Sequence, residues 1–298
     1  MLAGAPLFAS QPTLAANPAA TRQLRLGMPQ LAFSGLSESW LLMDCGHQHW
    51  ALLATRLGRP VEDLADSLGN PIYASFVSHH VSGALHEYPA GTPVQITSSL
   101  HQLSGKRFCS VHILEGPDNR QVRVEMISIF LRRGRPNCNE TLVSCGASFA
   151  GLPAGKPVLN LEHLDRLIRG GSWSVHRGFQ NAAPEIALGE LIYSPVPSTD
   201  FNAAQLLYFA RYHEVVDRAE WELLTERDPR NATTERQVHY FANIDPGDRV
   251  VARLVSHHST APGRFAHHFR LLRQSDGRLM AEMFTWKSAS PEQEDLRS

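Results

Sequence analysis

EYPAGTPVQITSSLHQLSGKRF (87–108) and NIDPGDRVVARLVSHHSTAPGRF (243–265) are two versions of one pattern. Each sets Pro and Gly ahead of a β-prone run, passes through a loop, and opens the next run with Arg-Phe behind a glycine. The segments that follow agree as well. LEGPDNRQVRVEMISIFL (114–131) and LRQSDGRLMAEMFTWK (272–287) each turn into a long β-prone run with an internal Glu-Met pair. Shared order, spacing and turn chemistry over about 45 residues point to an internal duplication.

Upstream of each set of strands lies a helical pattern. SESWLLMDCGHQHWALLATRL (37–57) repeats apolar residues at Trp40, Leu41, Trp50, Leu53, Ala54 and Leu57, and Gly58 and Pro60 stop it. Gly46 within it costs about 1 kcal/mol relative to Ala. A shorter helix is expected over Val61–Ser67, and strands over Ile72–His80, Val94–Leu103, Phe108–Leu114 and Gln121–Leu131. In the second half FNAAQLLYFARYHEVVDRAEWELL (201–224) predicts one continuous amphipathic helix. Strands are expected there over Gln237–Ile244, Arg249–His258, Phe265–Gln274 and Arg278–Lys287. The expected organisation is a flexible tail (1–24), a first domain (25–135), a linker (136–170) with a short helix over Leu161–Arg169, a second domain (171–290) and a short tail (291–298).

The 298 residues are long enough for two ordinary domains, and 43% hydrophobic with 19% charged residues is a globular composition. A formal net charge of −1 with interleaved signs points away from nucleic acid and anionic membranes. No apolar run approaches the roughly 20 residues that span a bilayer, and the Ala- and Pro-rich start lacks the layout of a signal peptide. Cys45, Cys109, Cys138 and Cys145 are too widely spaced for a disulfide framework, so a cytoplasmic protein is expected.

A long helix followed by a curved antiparallel sheet, twice over, describes a fold of the α+β class: a double hotdog, two helix-wrapped sheets forming a pseudo-dimer. Pairing between the copies would remove an exposed edge from each. The stretch SPVPSTDFNAAQLLYFARYHEVVDRAEW (194–221) resembles hotdog thioesterases, in which an Asp-containing loop enters the helix and a Tyr-aromatic pair lies on its buried face. Asp200, Asn202, Tyr208, Phe209 and Tyr212 are the matching residues. GLSESWLLMDCGHQHWALL (35–53) with GNPIYASF (69–76) resembles the leinamycin-type bifunctional acyltransferase/decarboxylase family of biosynthetic double-hotdog proteins, over about residues 25–288.

That resemblance implies decarboxylation of methylmalonyl-CoA or a related malonyl thioester, and delivery of the acyl group to an acyl carrier protein in polyketide-type biosynthesis. It implies no bound cofactor, with the coenzyme A or phosphopantetheine thioester as substrate. It also implies a catalytic tyrosine, matched here by Tyr73, acting as nucleophile or hydrogen-bond donor. N–H groups near Ser37, Glu38 and Ser39, at the start of the first helix, are the expected oxyanion donors. His47 is a candidate to line the site, and Asp44 lies one turn from it. Asp44 with His49 is similar to the pair of hotdog hydratases, which carry an Asn-Pro that this chain lacks, so His49 is expected to be structural. Asp200, Asn202 and Tyr212, with His213, form a rival site in the second half, and Asp200 alternatively caps the second helix.

Fifteen histidines raise the question of a metal, but His79-His80, His257-His258 and His267-His268 lie in strand-like runs whose neighbours point to opposite faces, so no metal site is expected. No nucleophile elbow, phosphate-binding loop or dinucleotide fingerprint occurs. Two other functions stay open: a thioesterase acting on acyl-CoA or acyl carrier protein, and a thioester-binding protein without catalysis. A homodimer of such protomers is a further possibility.

Overall fold

The computed structural model describes residues 19–66, 68–103, 107–144, 159–181, 187–225 and 228–288. The first half contains β1 (Ala19–Arg25), α1 (Glu38–Leu57), β2 (Tyr73–Ser82), β3 (Pro93–Gln102), β4 (Phe108–Glu115), β5 (Gln121–Arg133) and the short β6 (Leu142–Ser144). Helix α2 (Leu159–Arg169) leads to the second half, with β7 (Gly189–Tyr193), α3 (Tyr212–Leu223), β8 (Ala232–Tyr240), β9 (Val250–Ala261), β10 (Arg264–Arg273) and β11 (Leu279–Ser288).

These strands form one 11-stranded sheet, ordered β1-β3-β4-β5-β2-β8-β11-β10-β9-β7, with β6 on β5. Read outward from the middle, each half runs through its own strands in the same sequence, which is the structural form of the duplication. The two halves join where Ser78–Ser82 of β2 pairs antiparallel with Glu235–His239 of β8. The architecture is the expected α+β double hotdog.

Local chemistry accounts for the elements. Ser37 Oγ accepts the Trp40 N–H at 3.2 Å to start α1, and Gly58 ends it at φ 66°, the left-handed region open to glycine. Leu41, Leu42, Cys45, His49, Leu52 and Leu53 form its buried face. Along β3 the buried residues alternate (Val94, Ile96, Ser98, Leu100), as a one-sided sheet requires. Leu41, Cys45, Phe76, Tyr212, Val216 and Met283 belong to one core cluster, so the halves share their apolar interior. A polar thread crosses the first half. His49 bonds Ser110 and Ser128, each at 2.7 Å, and His112 bonds Ser110 and Ser98, each at 2.8 Å. Burial holds both rings neutral, lowering His112 to about 3. His49 is therefore structural, as expected. Cys45 is a buried thiol whose pKa burial pushes well above its ordinary value.

Helix α2 docks on both halves. Its Asp165 is fully buried and accepts hydrogen bonds from Arg107 of the first half, from His239 of β8 at 3.1 Å and from Arg169 at 3.0 Å. Arg169 in turn donates to the carbonyls of Val77 on β2 and Tyr240 on β8, bridging the two strands where the seam ends.

Several expectations need correction. Residues 19–24, assigned to a tail, belong to β1, which pairs with β3 along its length. The helix expected over Val61–Ser67 is a single 3-10 turn, Val61–Asp63. The continuous helix expected over 201–224 starts only at a 3-10 turn, Phe209–Arg211, that runs into α3. Ahead of it the chain folds around Asn202, whose Oδ1 accepts the N–H groups of Ala204 and Leu206 at 3.1 Å each. Gln205 takes a positive φ of 58° in that loop. A side chain that satisfies local N–H groups competes with helix, and here it wins. Ser67, Cys145, residues 1–18, residues 145–158 of the linker and residues 289–298 lie outside the described residues.

Asp165→Ala removes one partner from a buried charge cluster and is expected to cost about 3–5 kcal/mol in denaturant unfolding. The same carboxyl predicts acid lability. Burial works to raise its pKa, but the His239 hydrogen bond with the Arg169 and Arg107 charges outweighs it, and the net shift is downward. A depressed carboxyl stabilises the fold above its unfolded value of about 3.9 and loses that contribution as pH falls through the folded one. Unfolding followed between neutral pH and about pH 3 should therefore show a smaller acid loss in Asp165→Ala than in the parent.

Candidate functional site

The seam is shorter than the strands that make it. Tyr73–Val77 of β2 has β5 on one side but lies ahead of the stretch paired with β8. Val77 is the extra residue of a bulge against β5. At its far end β8 turns away, and the N–H groups of Phe241 and Ala242 go to the Met280 carbonyl at 2.8 and 3.3 Å. The fork between the strands holds a cavity of about 630 Å³. Its walls are His47 and Trp50 of α1, residues 71–77, Ile129 and Leu131 of β5, the 202–209 loop and residues 240–243. That size suits a small-molecule ligand, and the lining mixes apolar and aromatic side chains with polar and charged ones.

Tyr73 stands in this wall. Its Oη accepts a hydrogen bond from Arg133 Nη1 at 2.6 Å, and the guanidinium carbon lies 4.8 Å from the ring centroid. Arg133 is held by Asn139 Oδ1 at 2.9 and 2.8 Å and donates to the Ala204 carbonyl at 2.5 Å. Asn139 reaches across to the second half, donating to the carbonyls of Gln205 at 2.7 Å and Ile244 at 2.9 Å. The phenol oxygen is thus fixed from behind, and its own proton is left to donate. Neither Arg133 nor Asn139 stood out as a site residue; the only sign in the sequence is the basic pair Arg132-Arg133 next to a turn.

Opposite stands the loop around Asn202, closed by Asn243 Oδ1 accepting the Leu207 N–H at 2.9 Å. Tyr208, Phe209 and Tyr212 also line the cavity. Tyr212 Oη donates to the Ala242 carbonyl at 3.1 Å, and burial pushes the pKa values of both Tyr208 and Tyr212 up. Tyr240 Oη donates to the Phe209 carbonyl at 3.0 Å and accepts from His79 Nδ1 at 2.9 Å, anchoring the loop to β2.

The cavity therefore gathers Tyr73 and His47 of the expected first-half set with Asn202 and Tyr212 of the rival set. These are parts of one site. Ser37, Glu38, Ser39 and Asp200 are not among its walls. Asp200 is buried behind the loop, where Oδ2 accepts from the Val196 N–H at 2.6 Å and Tyr193 Oη at 3.0 Å, so it does not cap the second helix. Asp44 is tied to Arg22 of β1 at 2.5 and 3.0 Å and is not a partner for His47, which is exposed at the rim.

The start of α1 faces α3 of the other half. Ser39 Oγ lies 3.0 Å from His213 Nε2, and Glu38 pairs with the fully buried Arg236 at 2.8 Å. Arg236 also pairs with Asp217 at 2.7 Å, and Lys287 with Glu220 at 2.6 Å. Burial works against the Arg236 charge, yet Asp217 and Glu38 raise its pKa, so it stays a cation. Burial lowers His213. Glu38, His213 and Asp217 offer ligand atoms within 4.8 Å of one another, but Arg236 already occupies both carboxylates.

This network lies at the opposite fork of the seam. There a recess of about 200 Å³ is lined by Trp221 of α3 and Pro229 ahead of β8, as the large cavity is lined by Trp50 of α1 and Pro71 ahead of β2. The duplication thus made two forks; one is open and the other is largely filled by charge pairs.

No protein-family model and no curated protein matches the sequence, so the leinamycin-type resemblance rests on the motifs quoted above. Solved structures do match. The 12:0-ACP thioesterase from Umbellularia californica is similar at a TM-score of 0.63 and 11% identity, over 91% of this chain and 94% of that one. A protein from Lactobacillus plantarum, provisionally described as an oleoyl thioesterase, has a TM-score of 0.63 and 14% identity, over 94% of this chain and 100% of that one. An acyl-ACP thioesterase from Bacteroides thetaiotaomicron has a TM-score of 0.58 and 11% identity, over 91% and 98%. At these identities the likeness shows the fold, and it extends over both halves together.

Proposed function

We propose that this protein is an enzyme acting on an acyl thioester, of coenzyme A or of a carrier-protein phosphopantetheine, bound in the fork between β2 and β8. The observation that carries this reading is the Tyr73 phenol in the wall of the large cavity, fixed by Arg133 with its proton free to donate. A thioester carbonyl against Tyr73 would receive that O–H. The edge of β2 ahead of the seam supplies backbone N–H groups of the kind that stabilise an oxyanion. The mouth is polar, with His47, Glu62, Glu140 and Arg278 at the rim, and suits a pantetheine arm; the interior suits an acyl chain.

Hydrolysis is the reaction favoured by the fold, since solved structures named as acyl-ACP thioesterases share it across both halves. Water adds to the carbonyl carbon and gives its proton to a base at the rim, for which His47 is the candidate. The tetrahedral intermediate then breaks its C–S bond, and the thiolate takes up a proton as it leaves. The position of Tyr73 favours a second reading, transfer with decarboxylation. There the phenol takes the acyl group as an ester and passes its proton to the departing thiol, and a malonyl-type group loses carbon dioxide to give an enolate that takes up a proton from water. A carrier-protein thiol then accepts the acyl group and restores the phenol.

The two are separated by intact-mass analysis of a phosphopantetheinylated acyl carrier protein, incubated with this protein and methylmalonyl-CoA. Free coenzyme A with methylmalonate marks hydrolysis, and a propionyl-carrier adduct marks transfer. In either case Tyr73→Phe, which removes only the hydroxyl, is expected to lower the rate about 100-fold or more. Unchanged turnover in that variant would remove Tyr73 from the site. Ser37→Ala is expected to cost about 1 kcal/mol of stability through the lost cap and to leave turnover within about twofold.

A further inference from the structure

Gly46 sits inside α1, in helical conformation, where Ala would favour the helix by about 1 kcal/mol. Its reason is space. A Cβ there would lie 2.8 Å from Phe209 Cζ and 3.0 Å from Phe209 Cε1, closer than side chains tolerate. Phe209, at the head of the second helix, drives the tip of its ring into a notch in the first. The ring is fixed from the sides by Phe76, with centroids 4.5 Å apart, and Phe76 stacks on Trp50 at 4.4 Å. Trp50, Phe76 and Phe209 all line the large cavity, whereas Gly46 behind them is buried. His47, on the rim, is one helical turn from Trp50, so α1 runs from the polar mouth to this aromatic wall.

We propose that Phe209, seated in the Gly46 notch, closes the acyl end of the cavity and restricts the site to short acyl groups. The proposal rests on the thioester reading above and specifies the substrate class within it. With the carbonyl at Tyr73 and the pantetheine arm leaving through the mouth, the acyl chain points at the ring of Phe209. Beyond it lies the gap between α1 and the second helix, which that ring fills. Phe209 is thus a specificity-determining residue with no part in bond making.

The test is the chain-length profile, measured as calorimetric binding and as turnover of acetyl-, butyryl-, hexanoyl-, octanoyl- and dodecanoyl-CoA. The parent is expected to prefer acetyl and butyryl and to reject dodecanoyl. Phe209→Ala should move the preference to longer chains, improving octanoyl over acetyl by at least about tenfold, since each newly buried methylene contributes roughly fourfold. Gly46→Ala should act oppositely, pushing the ring into the cavity and weakening butyryl relative to acetyl. Thermal unfolding checks that each variant is folded, and Phe209→Leu takes the place of Phe209→Ala if the latter is not. A folded Phe209 variant with the parent profile, or a parent that binds dodecanoyl as well as acetyl, would overturn the proposal while leaving the thioester reading intact. If the parent neither binds acyl-CoA of any length nor turns over acyl groups carried on a phosphopantetheinylated carrier protein, the thioester reading fails and the proposal with it.

Discussion

The pairing of β2 with β8, and above all its brevity, is the constraint on which the rest depends. Joining two helix-wrapped sheets edge to edge removes one unpaired edge from each and lets one apolar core run through both halves. Strong twist limits how long two such edges stay in register, so the strands meet only over Ser78–Ser82 and Glu235–His239, and the first residues of each are left without the other. That leaves a fork at each end of the seam. Each fork opens where a helix of one half approaches the first strand residues of the same half and the helix entry of the other. A ligand site in this architecture is therefore inherently shared between halves, which is why Tyr73 and His47 face Asn202 and Tyr212.

Two polar clamps hold the seam from either side of the open fork. On one side Asp165 gathers Arg107, Arg169 and His239, and Arg169, itself in the cavity wall, spans the carbonyls of β2 and β8. Beside the cavity, Arg133 and Asn139 link the end of β5 to the loop and to Ile244. Both clamps are costly to desolvate and strong only if every member is satisfied. Their role fits positioning better than raw stability: apolar packing would join the halves, but only directed bonds set how far the strands diverge. The filled fork makes the same point in reverse. Where Arg236 draws Glu38 and Asp217 together, the strands and helices close around a charge cluster and only a small recess remains.

The strands and the duplication were legible because period-two burial and turn residues are local signals. The eight long strands fall within a few residues of their expected bounds, the start of β8 deviating most. Helix α1 was legible from its apolar spacing and its glycine stop. The oxyanion assignment failed because a helix N-terminus carries the same sequence whether it meets a ligand or a neighbouring helix. What decides is Arg236 of β8 and His213 of α3, which are distant in the chain. Arg133 and Asn139 were illegible for a like reason, since each acts through residues of the other half. Tyr73 came from a resemblance, not from its own surroundings; periodicity alone marks it only as a residue near the start of a strand.

The most consequential misreading was the helix expected over 201–224, because its failure makes the cavity. The apolar spacing of Phe201, Leu206, Leu207 and Ala210 fits a helix, and no proline or glycine interrupts it. Asn202 wins by a local argument: its side-chain oxygen takes two N–H groups that a helix would otherwise satisfy, and Asn243 from the next strand region takes a third. The chain then bulges, and helix begins only at Phe209, whose ring has a seat prepared in α1 by the missing Cβ of Gly46. A helix begun eight residues earlier would project into the fork. The cavity is therefore the consequence of two small residues acting at a distance, an asparagine that delays one helix and a glycine that receives its first aromatic ring.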